Sequence, residues 1–308
     1  MSACRFPGHS ADRQFLLSMT NDDLRARQIN LRALYRYNFF NSLALSVVAS
    51  TILSDLLLLR MGFRTEQFAY ARSAMFIAPA LCYELLAGYL QAKNRDRLVC
   101  IWSYALRVTV PLLLPVMALC TANRSVLFWT AIFVFGFGFT MAAFANNTLS
   151  VLYRKLLPAE EFSRYSARLF LLWNMPSNIG ALLVARLLDH CADLSNRAFF
   201  LLVTALELGT LLFEIPAIAS ICRLKADGPA CPYHPSLRES LAPILDKDYR
   251  KILLMKVMHG VLVGLIGSFM AVCYLKEIHF SAFSFMLTVA SMSFAGMGLS
   301  VFFGFDFF

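Results

Sequence analysis

The sequence predicts an all-α membrane protein, a polytopic helical bundle, and three observations carry that reading. Hydrophobic residues make up 59% of the chain and charged residues only 15%, more apolar material than an ordinary globular domain carries. The apolar residues come in blocks of about 20, the length of helix that crosses a hydrocarbon core of about 30 Å. Strand-like alternation is absent, and lipid offers an open backbone no hydrogen-bond partner, so helices are the only spanning form left.

The elements follow in order. Residues 1–36 are polar and lack the charged, apolar and small-residue regions of a cleavable signal, so the first span is retained. Within them, Thr20-Asn21-Asp22-Asp23 reads as a helix start with acids in the first turn, and a short surface helix over 24–35 leads into the first span. Apolar windows then lie at 37–60, 68–90, 98–120, 127–152, 169–188, 198–221, 252–275 and 282–304. The connections 61–67, 121–126, 189–197 and 276–281 are short, which makes consecutive spans antiparallel neighbours. The connection 222–251 is longer and holds Gly228, Pro229, Pro232, Pro235 and Pro243, a composition that marks a linker between bundles. The expected organisation is a cytoplasmic segment 1–36, a six-span bundle 37–221, a cytoplasmic linker 222–251, and the first two spans of a second bundle at 252–308.

The net charge of +9 is distributed by topology, as a basic nucleic-acid-binding surface would not be. Arg25, Arg27, Arg32, Arg36, Lys93, Arg95, Arg97, Arg154, Lys155, Arg164, Arg168, Arg223, Lys225 and Lys251 all fall on one side, whereas the opposite turns carry only Arg60, Arg64, Arg124, Arg197 and Lys276. By the positive-inside rule the N-terminus is cytoplasmic, in a cell inner membrane, and the lipid bilayer rather than nucleic acid is the partner. The eight cysteines are scattered with no CxxC pair, and no phosphate-binding loop occurs. Neither a metal, a cofactor nor direct use of ATP is expected.

An internal repeat underlies the six-plus-two count. From Arg36 to Gly88 is 52 positions and from Lys251 to Gly304 is 53, so the first and last hairpins match in length and orientation. Parallel repeats of six spans about a cytoplasmic linker are one known transporter plan. On that plan four spans would follow Phe308, and the chain is expected to be a C-terminally truncated fragment.

Three stretches carry a resemblance to a known family. Gly88-Tyr89-Leu90-Gln91-Ala92-Lys93-Asn94-Arg95-Asp96-Arg97 follows the second span; Asn146-Asn147-Thr148-Leu149 is followed by Leu157-Pro158-Ala159-Glu160-Glu161; and Leu245-Asp246-Lys247-Asp248-Tyr249-Arg250-Lys251 enters the seventh span. With the topology, these make the chain resemble the major facilitator superfamily, in its loosely characterised bacterial branch, from about Leu31 to Gly304. The resemblance implies a gating loop at Gly88, Lys93, Arg95 and Arg97, and a central cavity lined by spans one, four and seven. Ala92 stands where the family's loop aspartate belongs, so charge-controlled gating through that residue is not implied. The glycine motifs of proton-driven drug antiporters in spans four and five are also missing, and drug export is not implied by motif.

Ionisable residues within apolar windows need a partner or a wet cavity. Arg107 in span three and Glu207 in span six, on helices that the resemblance makes neighbours, are expected to form a buried charge pair or relay. Glu207, Thr210 and Glu214 share one helical face. Arg72, near the outer end of span two, is expected to face water. Asn38, Asn41, Asn146, Asn147, Asn174 and Asn178 are candidate substrate-binding amides, with interhelical hydrogen bonding the alternative. Pro176 loosens the helix between the last two. His259 on span seven is the candidate coupling group, whereas Lys256 can extend to the surface. Gly136, Gly138, Gly260, Gly264 and Gly267 are expected to be packing surfaces. Together these features imply a secondary active transporter of a small polar solute, with a coupling ion, working by alternating access and without catalysis. The alternatives are a membrane-embedded enzyme, against which stands the scatter of His9, His190, His234, His259 and His279, and a receptor or scaffold with a transporter-like fold.

Overall fold

In the computed structural model the described residues are 21–48, 51–92, 96–157, 159–224 and 246–304, and among them all regular structure is helical. Helix α1 is Asn21–Val48, α2 Thr51–Arg60, α3 Thr65–Ala92, α4 Asp96–Thr109, α5 Leu113–Cys120 and α6 Arg124–Leu156. They are followed by α7 Ala159–His190, α8 Asn196–Cys222, α9 Lys247–Val272 and α10 Ala282–Gly304, with a π-helical turn at Cys273–Glu277 after α9. Five segments among the described residues are long and apolar enough to cross a membrane: Arg25–Arg60, Asp96–Cys120, Arg124–Leu156, Leu171–His190 and Asn196–Cys222. The three remaining windows are the helices α3, α9 and α10. The surface helix expected over 24–35 is no separate element, because α1 runs from Asn21 straight into the first span.

Local chemistry explains the breaks. Pro111 has no N–H to give to the residue four before it, and span three parts into α4 and α5 there. The gap is bridged by tighter turns, Leu113 N donating to Val110 O and Leu114 N to Pro111 O, both at 3.0 Å. Between α2 and α3, Gly62 takes a left-handed φ of 73°. There Phe63 N donates to Leu58 O at 3.3 Å and Gly62 N to Leu59 O at 3.0 Å, a Schellman ending that needs a residue without a Cβ penalty. Asn123, Ser195 and Asp246 cap α6, α8 and α9 through their side-chain oxygens.

Span one (α1 and α2) packs along α7 and α8, span four (α6) packs along α3 and along span three (α4 and α5), and span three packs along α8. Exchanging spans one, two and three for four, five and six leaves this set of neighbours unchanged. Because span four runs opposite to span one, the six spans form two inverted three-helix units. Outside them, α9 lies along α3 and α10 along α7.

Two cores fill the bundle. Toward the end where α2 meets α3, Leu53, Leu58, Phe68, Met75, Val134 and Phe199 form an aliphatic and phenyl cluster. Toward the basic end, Tyr37, Tyr104, Leu149, Tyr153, Tyr165 and Ile221 form a cluster rich in tyrosine. The outward faces carry large apolar groups instead of charges, with Leu212 73% and Met255 72% exposed, the surface of a protein whose surroundings are hydrocarbon. Close helix approach is set by glycine at three crossings: Gly180 against Ser46, Gly260 against Phe76, and Gly136 against Ala74 and Ala78. Gly138 touches only Val110 at 4.0 Å, and Gly267, expected to be a packing surface, has nothing within 4 Å of where a Cβ would stand.

Candidate functional site

A cavity of about 440 Å³ lies among the first six spans, and every one of them contributes to its wall; span seven (α9), expected beside spans one and four, does not line it among the described residues and packs instead along α3. The wall is mainly apolar, including Leu53, Met75, Phe135, Phe139 and Trp173, and its polar members are Ser54, Arg107, Asn146, Ser177 and Glu207.

Arg107 anchors the site. It sits on the last turn of α4, just before the Pro111 break, and is 4% exposed. Its Nη2 donates to Glu214 Oε1 at 3.1 Å and to Asn41 Oδ1, and its Cζ stands 4.6 Å from the centre of the Tyr104 ring. Tyr104 packs edge-on against Tyr37 and donates its hydroxyl to Asn146 Oδ1 at 3.3 Å. One guanidinium thus ties α1, α4 and α8 together, with its charge met by a carboxylate and the face of an aromatic ring.

The expected partner of Arg107 was Glu207, and the structure corrects this: the pair is Arg107 with Glu214, one face but two helical turns further along α8. Glu207 lines the cavity, is 5% exposed, and its Oε2 meets no hydrogen-bond partner among the described residues. Arg72 is a second correction, since it is buried and ion-paired with Asp55. Asp55 lies within the first apolar window and sequence reasoning passed over it. The signal was the one used for Arg107, an ionisable residue inside a span.

The candidate amides divide. Asn146 lines the cavity. Asn41 is buried and holds Arg107. Asn38 is 3% exposed; its Nδ2 has Leu34 O at 2.7 Å, Tyr153 Oη at 2.9 Å and Tyr165 Oη at 3.3 Å as acceptors for its two hydrogens, and its Oδ1 accepts from Tyr153 at 3.1 Å. With α1, α6 and α7 meeting on one amide, Asn38→Leu is expected to lower stability by about 1–3 kcal/mol, read by thermal unfolding of the purified protein. Asn178 reaches α10, its Nδ2 donating to Ser293 Oγ at 3.1 Å and to Asn174 O at 2.9 Å. Asn147 and Asn174 are half-buried and do not line the cavity, and His259 is exposed on α9.

Of the gating-loop residues, Gly88 falls on α3, Lys93 and Arg95 lie outside the described residues, and Arg97 Nη1 donates to Leu224 O at 3.2 Å. Beside it the buried Asp96 is ion-paired with Lys155 at the end of α6. The basic ends of spans three, four and six are therefore bound together. At the opposite end Arg60 donates to Leu194 O at 3.1 Å, joining span one to the turn before α8. Asp189, on the last turn of α7, accepts from Ala282 N at 2.7 Å and Phe283 N at 3.0 Å, so an acid from span five caps α10.

Comparison with protein-family models, curated proteins and solved structures finds no match to this chain.

Proposed function

We propose that this protein is a secondary transporter of the major facilitator type, which moves a small solute across a cell inner membrane by alternating access and has its N-terminus in the cytoplasm. The observation that carries the reading is the cavity of about 440 Å³ lined by six spans, with buried charged groups on a mainly apolar wall. Its size suits a small molecule, and a few placed polar groups within apolar walls are the usual composition of such a site. The inverted three-helix units around it match the 3+3 repeat that the major facilitator plan nests within one six-span bundle, which would rock against a second bundle. The basic ends of the spans set the orientation.

The test is two-sided accessibility. In a background with the native cysteines replaced, Ser54→Cys and Ser177→Cys, both in the cavity wall, are expected to react with a membrane-impermeant maleimide added to either face of oriented membrane vesicles. Arg97→Cys, exposed at the basic end, is expected to react from the cytoplasmic face alone. Cavity labelling from one face only would replace the transporter with a receptor or scaffold of the same fold.

A further inference from the structure

We propose that the cavity takes a small organic ammonium ion with an apolar body, its charge held by the Glu207 carboxylate. The inference deepens the transporter reading by naming a substrate class, and it rests on that cavity being the solute site.

Charge counting at the wall leads to it. Arg107 and Glu207 line the cavity, and Glu214 stands outside the lining as the ion-pair partner of Arg107. Arg107 and Glu214 answer each other at 3.1 Å, and Asn41 and Tyr104 complete the surroundings of the guanidinium. Glu207 is left over. It is 5% exposed, lines the cavity, and its Oε2 has no hydrogen-bond partner among the described residues. Glu214 Oε2 and Arg107 Nε are sealed and unpartnered in the same way, so what sets Glu207 apart is that its carboxyl lines the cavity without an ion pair among the described residues, and an occupant of the cavity is placed to supply the missing positive charge.

The remaining wall defines the rest of the ligand. Leu53, Met75, Phe135, Phe139 and Trp173 offer aliphatic and aromatic contact, which rewards an apolar body and excludes a heavily hydrated solute. An anion would stand against the Glu207 carboxylate, and a zwitterion would bring its own negative charge beside Glu207 or compete with Glu214 for Arg107. The polar solute expected from the asparagines is therefore narrowed to a monocation, since one of those amides, Asn146, reaches the cavity.

The experiment measures equilibrium binding of four phenyl-bearing probes to the purified full chain in detergent: 4-phenylbutylamine, 4-phenylbutanol, 4-phenylbutyrate and phenylalanine. The readout is Trp173 fluorescence in a Trp102→Phe, Trp129→Phe background, Trp173 being the tryptophan in the cavity wall. The amine is expected to bind tightest, and Glu207→Gln to weaken it about tenfold to a hundredfold while leaving the alcohol within about twofold, the range for a lost charged hydrogen bond. Glu207→Asp, which keeps the charge, is expected to retain most of the amine affinity and serves where the glutamine variant does not fold. Equal or tighter binding of the alcohol, the butyrate or phenylalanine, or amine binding that ignores Glu207→Gln, overturns the proposal. So does an aspartate variant that folds but binds the amine no better than the alcohol. Because binding is read at equilibrium, these results can fail while two-sided labelling of the cavity succeeds, and the reverse.

Discussion

Arg107→Met alone is expected to remove most folded protein from the membrane fraction, and Arg107→Met combined with Glu214→Met to restore much of it. The single change strands Glu214, 2% exposed, and leaves Asn41 without its donor. Breaking a buried ion pair by one partner costs about 3–5 kcal/mol, whereas replacing both partners by apolar groups of similar volume is often neutral. Glu207→Met is the control. It leaves the Arg107–Glu214 pair intact and removes a carboxylate oxygen that has no partner, so folded yield should not fall with it. Fluorescence-detected size exclusion of the three variants measures the effect, and a double variant no better than Arg107→Met would refute the pairing as a stability element.

Gly180→Leu is expected to cost about 3 kcal/mol, at the upper end for overpacking, through the contact of span one with span five. A Cβ at Gly180 would stand 2.4 Å from Ser46 Cβ and 2.5 Å from Ser46 Oγ, so the helices must separate before any side chain fits. The next atom of Ser46 is its Cα, at 3.9 Å. Ser46→Gly with Gly180→Ala should therefore recover the stability that Gly180→Ala alone loses. Thermal unfolding of the single and double variants decides, and simple additivity would mean that the crossing is looser than the structure has it.

What the sequence made legible was the set of helices and the residues under stress within them; what it hid was depth. Arg107 and span six were both identified, yet the carboxylate was misassigned by two turns of one helical face. The level can be reconstructed only with the packing in hand. Arg97 bonded to Leu224 O shows that the start of α4 and the end of α8 are level. From there Arg107 rises about 16 Å, Glu214 about 12 Å and Glu207 about 22 Å at 1.5 Å per residue. Side chains lean toward their own helix N-terminus, and the two helices are antiparallel, so Arg107 leans down and Glu214 leans up to meet it. Glu207 leans away. The Asp55–Arg72 pair was legible by the same rule and was missed because Arg72 lies near a helix end, where water was assumed. Gly180 was beyond sequence reading, since a lone glycine becomes a contact only when the register of a helix more than a hundred residues earlier sets Ser46 against it.

The contacts between α7 and α10 have a kinematic consequence. Asp189 meets Ala282, and Asn178 meets Ser293, eleven residues away on each helix. The numbers of the paired residues add to the same total, as they do along two antiparallel rods in fixed register. The two attachments lie about 16 Å apart. Two pins at that separation remove both sliding and swivelling, because a shift by one turn in either direction breaks both at once. Only pivoting about one pin remains. The pin at Asp189 is charged and holds two backbone amides, whereas the other is a single neutral hydrogen bond, so any separation of α7 from α10 is expected to begin at the Asn178 end and pivot about Asp189.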